Sequence, residues 1–147
     1  NFASIELHEF INDLYKQIAS VMSNLNLPVT FKNEIANILI DIDTSVPLGL
    51  IINELLTNSF KYAFTDNPKP LIQVKLQTAS KDVFQLIYTD NGQGLPNNFN
   101  IEEASSLGMQ LMHMLATQLS GQMVYQRKDD LSIFTITFKT TEARSKE

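Results

Sequence analysis

With 147 residues, 44% of them hydrophobic and 18% charged, the chain has enough apolar material for one compact domain with its own core. It contains no cysteine, which excludes a disulfide scaffold, a thiolate metal site and a cysteine nucleophile, and fits a reducing cytoplasm. A net charge of −5 without long charged blocks excludes a general nucleic-acid surface, and no apolar run nears the roughly 20 residues of a membrane helix. A soluble domain without membrane contact is expected, and the absence of an initiator Met suggests a segment of a longer protein.

Residues 5–25 carry Leu7, Phe10, Ile11, Leu14, Ile18, Val21, Met22 and Leu25 at steps of three and four, which predicts an amphipathic helix. Beyond Pro28, residues 29–31 and 36–42 are predicted strands joined by a turn at the polar Lys32-Asn33-Glu34. Thr44 and Ser45 read as helix caps ahead of Val46-Pro47, opening a second helix that runs to Phe64. After a breaker-rich stretch come strands at 72–76 and 83–88, joined by a turn at Ser80-Lys81-Asp82, and the second delivers Asp90 at its end. Residues 92–106 are polar, punctuated by Gly and Pro, and predict a mobile loop. A third helix over 108–119 ends in Ser120-Gly121. Strands at 123–126 and 133–138 form a hairpin around Lys128-Asp129-Asp130, and the charged tail 142–147 is expected to fray. This order, with its strands paired as hairpins, predicts a two-layer α/β (α+β) sandwich: a mixed, mostly antiparallel sheet with helices on one face.

Three patches carry chemistry. On the second helix, Glu54, Asn58 and Lys61 share one face with Tyr62 at its border, while Ile52, Leu55, Leu56, Ser59 and Ala63 take the opposite, sheet-facing arc. A carboxylate, an amide and an ammonium so aligned can fix a water, ligate Mg²⁺ and contact phosphate, or can simply form a solvated helix face. In Asp90-Asn91-Gly92-Gln93-Gly94, a carboxylate can accept from an exocyclic amine while glycine backbone approaches a flat ring; the same residues also suit a turn. In Ser105-Ser106-Leu107-Gly108-Met109-Gln110-Leu111, loop gives way to helix. The free amides and dipole there suit an anion, and Ser106 equally suits an ordinary N-cap.

Taken in this order, the three patches resemble the N, G1 and G2 boxes of the GHKL ATPase superfamily, shared by DNA gyrase, mismatch-repair ATPases and sensor histidine kinases. The run Pro47-Leu48-Gly49-Leu50-Ile51-Ile52-Asn53-Glu54-Leu55-Leu56-Thr57-Asn58-Ser59-Phe60-Lys61-Tyr62-Ala63-Phe64 is similar to the N box of one subgroup of bacterial sensor histidine kinases, and Lys61-Tyr62 favours kinases over gyrase-like enzymes. The resemblance spans about residues 35–138. It implies a GHKL-type fold that binds ATP and Mg²⁺ and transfers the γ-phosphate to a histidine on a separate dimerisation domain of the same protein, with a response regulator receiver domain as downstream partner. It also implies roles for individual residues. Asn58 would hold Mg²⁺, Lys61 would touch a phosphate, Tyr62 would lie near adenine and Asp90 would bind its amino group. Gly92 and Gly94 would line the base, Leu107, Gly108 and Met109 would close on the phosphates, and residues 96–107 would form a lid. Glu54, at the general-base position of the superfamily's hydrolases, would orient the nucleophile or a metal-bound water.

The chain departs from the family pattern at Leu131-Ser132, where Gly-Thr is common, which leaves hydrogen bonding at that end of the base unassigned. It also lacks the subgroup's phosphoacceptor box. His8-Glu9 does not continue into one, and His8 reads as a solvated histidine of a linker helix. His113 reads as a packing or surface residue, and Met109, Met112, Met114 and Met123 as core filler. The expected organisation is a linker helix at 1–25, the ATP-binding domain at 26–140 and a charged tail at 141–147. A nucleotide-sensing module without transfer activity, or a serine kinase of the anti-sigma-factor type, are the alternatives.

Overall fold

The computed structural model describes residues 3–22, 28–95, 107–140 and 144–145. In chain order the elements are β1 (Ser4–Glu6), α1 (Leu7–Met22), β2 (Thr30–Glu34), β3 (Ile38–Asp41), α2 (Ile42–Asn58) continuing as a π turn (Ser59–Ala63), β4 (Leu71–Ser80), β5 (Val83–Asp90), α3 (Leu107–Gln118), β6 (Gln122–Lys128), β7 (Leu131–Lys139) and β8 (Arg144–Ser145). A five-stranded sheet in the order β2-β4-β5-β7-β6 is antiparallel except at β2–β4, and a small sheet β1-β3-β8 is antiparallel throughout. The helices form the second layer. The mixed, mostly antiparallel sandwich expected from the sequence is the fold.

Strict alternation writes the main sheet. β5 and β7 bury every second residue, placing Phe84, Leu86 and Tyr88 beside Phe134, Ile136 and Phe138 on the helix side. α2 crosses this surface with Leu48, Ile51, Ile52, Leu55 and Leu56 buried, and α3 adds Met112, Leu115 and Ala116. Leu7 and Ile11 of α1 are fully buried in the same core.

Four expectations are corrected. Lys32-Asn33-Glu34 is not a turn: it lies within β2, which pairs in parallel with β4, while β3 pairs with β1 and β8. Asn33 diverts the chain, its amide donating to His8 O and Asn12 Oδ1 while its carbonyl oxygen accepts from Ile35 N–H. Thr44 and Ser45 do not cap α2. The helix starts at Ile42 after Asp41, and Thr44 is buried with its hydroxyl 3.0 Å from that of Thr140. His8 is half-buried, and its Nδ1–H donates to Ile35 O at 2.7 Å, so it fastens α1 to the strands instead of standing in solvent. The Lys128-Asp129-Asp130 hairpin forms with positive φ at both aspartates. Of the methionines, Met109, Met112 and Met123 are buried, but Met114 is 66% exposed and fills no core.

Candidate nucleotide site

A cavity of about 350 Å³ opens in the seam between α2 and the sheet, bounded by the end of β5, the start of β7 and the amino end of α3. That volume is within the range of small-molecule sites. From α2 and its π turn come Glu54, Leu55, Asn58, Ser59, Lys61, Tyr62 and Ala63; from β5 and the chain beyond it, Asp90, Gly94 and Leu95; from β7, Ser132 and Phe134; from α3, Gly108 and Met109. Of the residues singled out from the sequence, Glu54, Asn58, Lys61, Tyr62, Asp90, Gly94, Gly108 and Met109 thus converge on one space. Gly92 and Leu107 are not in the wall.

The helix segment reaches the cavity by changing its winding. Over Ser59–Ala63 the backbone is π-helical, which widens the turn and delays Lys61 and Tyr62 relative to α spacing. Tyr62 is left 63% exposed at the rim. The carbonyls released at the helix end are taken up by Gln93, whose N–H donates to Ala63 O at 2.9 Å and whose side-chain amide donates to Tyr62 O at 2.5 Å. Gly92 is needed for this approach, because a Cβ there would stand 2.4 Å from Ala63 Cβ and 2.5 Å from Ala63 O. Gly94 has φ +81°, a conformation that side chains other than glycine rarely adopt.

Asp90 is the buried carboxyl of the cavity wall, 4% exposed. Its Oδ1 accepts from Gly92 N–H at 3.0 Å and its Oδ2 from the Ser59 hydroxyl at 2.7 Å. Ser59 Oγ lies 2.6 Å from the Tyr88 hydroxyl. Since the Ser59 proton goes to the carboxylate, Tyr88 donates to Ser59. Burial and the adjacent Asp90 charge push the Tyr88 phenol well above its usual range, which keeps that donor protonated. Burial also raises the Asp90 carboxyl, against the opposing pull of the Ser59 hydroxyl, the Gly92 N–H and the Arg127 charge.

At the far end, Gly108 leaves room for Glu54: a Cβ on Gly108 would lie 2.4 Å from Glu54 Oε2. Leu107 is 81% exposed and does not line the cavity. Of the expected lid at 96–107, residues 96–106, with the candidate cap Ser106, lie outside the described residues, and Leu107 is the first residue of α3. Among the described residues no three His, Cys, Asp or Glu side chains group to hold a metal.

Sequence reasoning missed Ser59, Ser132 and Arg127. Ser59, with Leu55 and Ala63, belongs to the arc assigned to the sheet, yet lines the cavity, because the cavity lies in the seam and not over the solvent face. The available signal was a hydroxyl on an otherwise apolar arc, facing a tyrosine two residues before Asp90 in the same strand phase. Asn91 is turned away from the cavity. Its side chain accepts from Leu71 N–H and donates to Lys69 O, fastening the loop before β4.

The family model described as histidine kinase-, DNA gyrase B-, and HSP90-like ATPase matches residues 43–142. Over 106 residues the chain is 22% identical to blue-light-activated histidine kinase 2 of Erythrobacter litoralis, covering 72% of this chain and 31% of that protein. Over 109 residues it is 26% identical to sensor histidine kinase PdtaS of Mycolicibacterium smegmatis, covering 72% of this chain and 21% of that one. The chain therefore spans between a fifth and a third of these curated relatives. Among solved structures, the histidine kinase domain of a blue-light-activated histidine kinase from Erythrobacter litoralis superposes with a TM-score of 0.81 at 19% identity, covering 92% of this chain and 62% of that one.

Proposed function

Because the chain belongs to the histidine kinase-, DNA gyrase B-, and HSP90-like ATPase family, we propose that its cavity holds ATP and that the domain presents the γ-phosphate to a histidine on a separate dimerisation domain. The observation that carries this reading is the polarity of the cavity. Its wall combines a buried carboxylate, Asp90, and the apolar side chains of Leu55, Leu95 and Phe134 with the polar Glu54, Asn58 and Lys61 and the amino end of α3.

In this reading Asp90 accepts from the adenine amine, and Gly94 lets backbone approach the base. Lys61 and the α3 amides face the phosphates. The Asn58 amide oxygen would hold Mg²⁺, which when bound would supply neutralisation of phosphate charge. Glu54 orients the incoming nucleophile or a metal-bound water. Transfer of a phosphoryl group then rests on positioning and charge neutralisation. The relatives above are named as histidine kinases, which favours this reading over a serine kinase or a binding module. A response regulator as downstream partner, a cytoplasmic location and a role for residues 1–25 as a linker belong to the same proposal.

The test is incubation with γ-labelled ATP. The chain alone stays unlabelled, since His8 Nδ1 is engaged with Ile35 O and a nucleophile held elsewhere loses a proximity contribution of roughly 7–11 kcal/mol. A phosphoacceptor domain supplied in trans becomes labelled on histidine, weakly for want of a tether. A phosphohistidine at His8 or His113, lost on mutation of that residue, contradicts the account.

A further inference from the structure

Three residues stand in a row across three strands. Asp90 of β5 is the register partner of Ser132 of β7, and Ser132 is the register partner of Arg127 of β6. Asp90 and Ser132 are both buried and both line the cavity. Arg127 comes from the exposed edge. Its Nη1 donates to Ser132 Oγ at 3.0 Å and to Gly92 O at 2.7 Å.

A serine hydroxyl can donate one hydrogen and accept at two lone pairs, whereas a guanidinium can only donate. With a cation already on one lone pair of Ser132, a second donor approaching the same oxygen meets like polarity, and the hydroxyl hydrogen is left to point elsewhere. The Tyr125 hydroxyl, 3.5 Å away, is at the outer limit of a hydrogen bond. The remaining direction is the cavity. Side by side, the wall therefore offers an acceptor at Asp90 and a donor at Ser132.

A 6-aminopurine presents the complementary pair, an exocyclic amine next to a ring-nitrogen acceptor. A 6-oxopurine presents the reverse, a carbonyl oxygen next to a ring N–H. We propose that Arg127 is a positioning residue that sets base specificity, by fixing the Ser132 hydroxyl as a donor and so pairing the wall with 6-aminopurines against 6-oxopurines. This rests on the nucleotide reading above and adds to it a residue outside the cavity wall. The same guanidinium, through the Gly92 carbonyl, holds the loop that carries the carboxylate partner.

Calorimetric titration with ATP and with ITP tests it, since the two differ at the 6-position and the adjacent ring nitrogen. Arg127→Met frees Ser132 to accept, so the ratio of ATP to ITP affinity falls by roughly three- to tenfold, the scale of one hydrogen bond. Arg127→Lys, which keeps a cationic donor, retains most of the ratio. Ser132→Ala lowers the ratio similarly, and combining it with Arg127→Met lowers it no further. A purely structural arginine behaves differently: Arg127→Met then weakens ATP and ITP by the same factor, which overturns the proposal, as does an unchanged ratio in Ser132→Ala. A wild-type chain that binds neither nucleotide overturns this inference together with the nucleotide reading; one that binds ATP with a ratio immune to both substitutions overturns this inference alone.

Discussion

The Ser59 hydroxyl and the Gly92 N–H each bind one oxygen of Asp90, and these contacts oppose the rise that burial gives its pKa. Its folded-state pKa is raised by burial. In the free chain, the Asp90 contribution to stability therefore increases as pH falls through that raised value towards the ordinary carboxylate range, because the folded state binds the proton more tightly. ATP affinity runs the other way, since an adenine amine needs the ionised acceptor, and is lost as pH falls through the same value. Ser59→Ala removes a contact that lowers the pKa, so the acid loss of ATP affinity moves to higher pH, while the Tyr88 hydrogen released from Ser59 can turn to Leu55 O at 3.3 Å. Affinity against pH for the wild type and Ser59→Ala checks this; superimposable curves contradict it. Asp90, Glu54 and Asn58 were legible in the sequence because helix spacing and a strand-to-glycine junction fix polar side chains near one another. Ser59 and Arg127 were not: one acts from an arc that α periodicity gives to the core, the other through a cross-strand register that no local pattern encodes.

Among the elements, α2 and its π turn do most to shape the site. The helix itself was readable from its apolar face. Its change of winding was not, because it answers to tertiary partners, the Gln93 bonds to Tyr62 O and Ala63 O. β2 misled for a related reason. An edge strand in parallel pairing buries little, so its polar Lys32-Asn33-Glu34 reads locally as a turn, and Asn33 spends its amide on α1. Within α2, Asn58 is one helical turn from Glu54 and both line the cavity. Asn58→Leu is expected to abolish the Mg²⁺-dependent part of ATP affinity and spare the metal-free part. Titrations with and without Mg²⁺ decide it: equal enhancement by the metal in mutant and wild type removes Asn58 from the metal's coordination.

At the scale of the whole molecule, the layered fold was legible because β5 and β7 alternate cleanly and three helical stretches separate the strand pairs. The separate small sheet was not, since β1 is a short strand of three residues whose pairing with β3 spans the whole of α1. That sheet and the buried Leu7 and Ile11 make α1 part of the same core. Ile11→Ala should therefore cost about 2–5 kcal/mol of unfolding free energy. Urea unfolding checks this, and a change under about 0.5 kcal/mol, the scale of a surface substitution, would show α1 to be dispensable to the folded unit.

The central claim is that the cavity binds ATP through Asp90 at the base. Calorimetry of the 147-residue chain with ATP in Mg²⁺, beside a folded Asp90→Asn variant, addresses it directly. The account predicts saturable one-to-one binding, weakened roughly ten- to a hundredfold by the substitution, as the loss of a charge-assisted hydrogen bond of about 1.5–3 kcal/mol requires. No binding by the folded wild-type chain, or equal affinity in the two proteins, would contradict it.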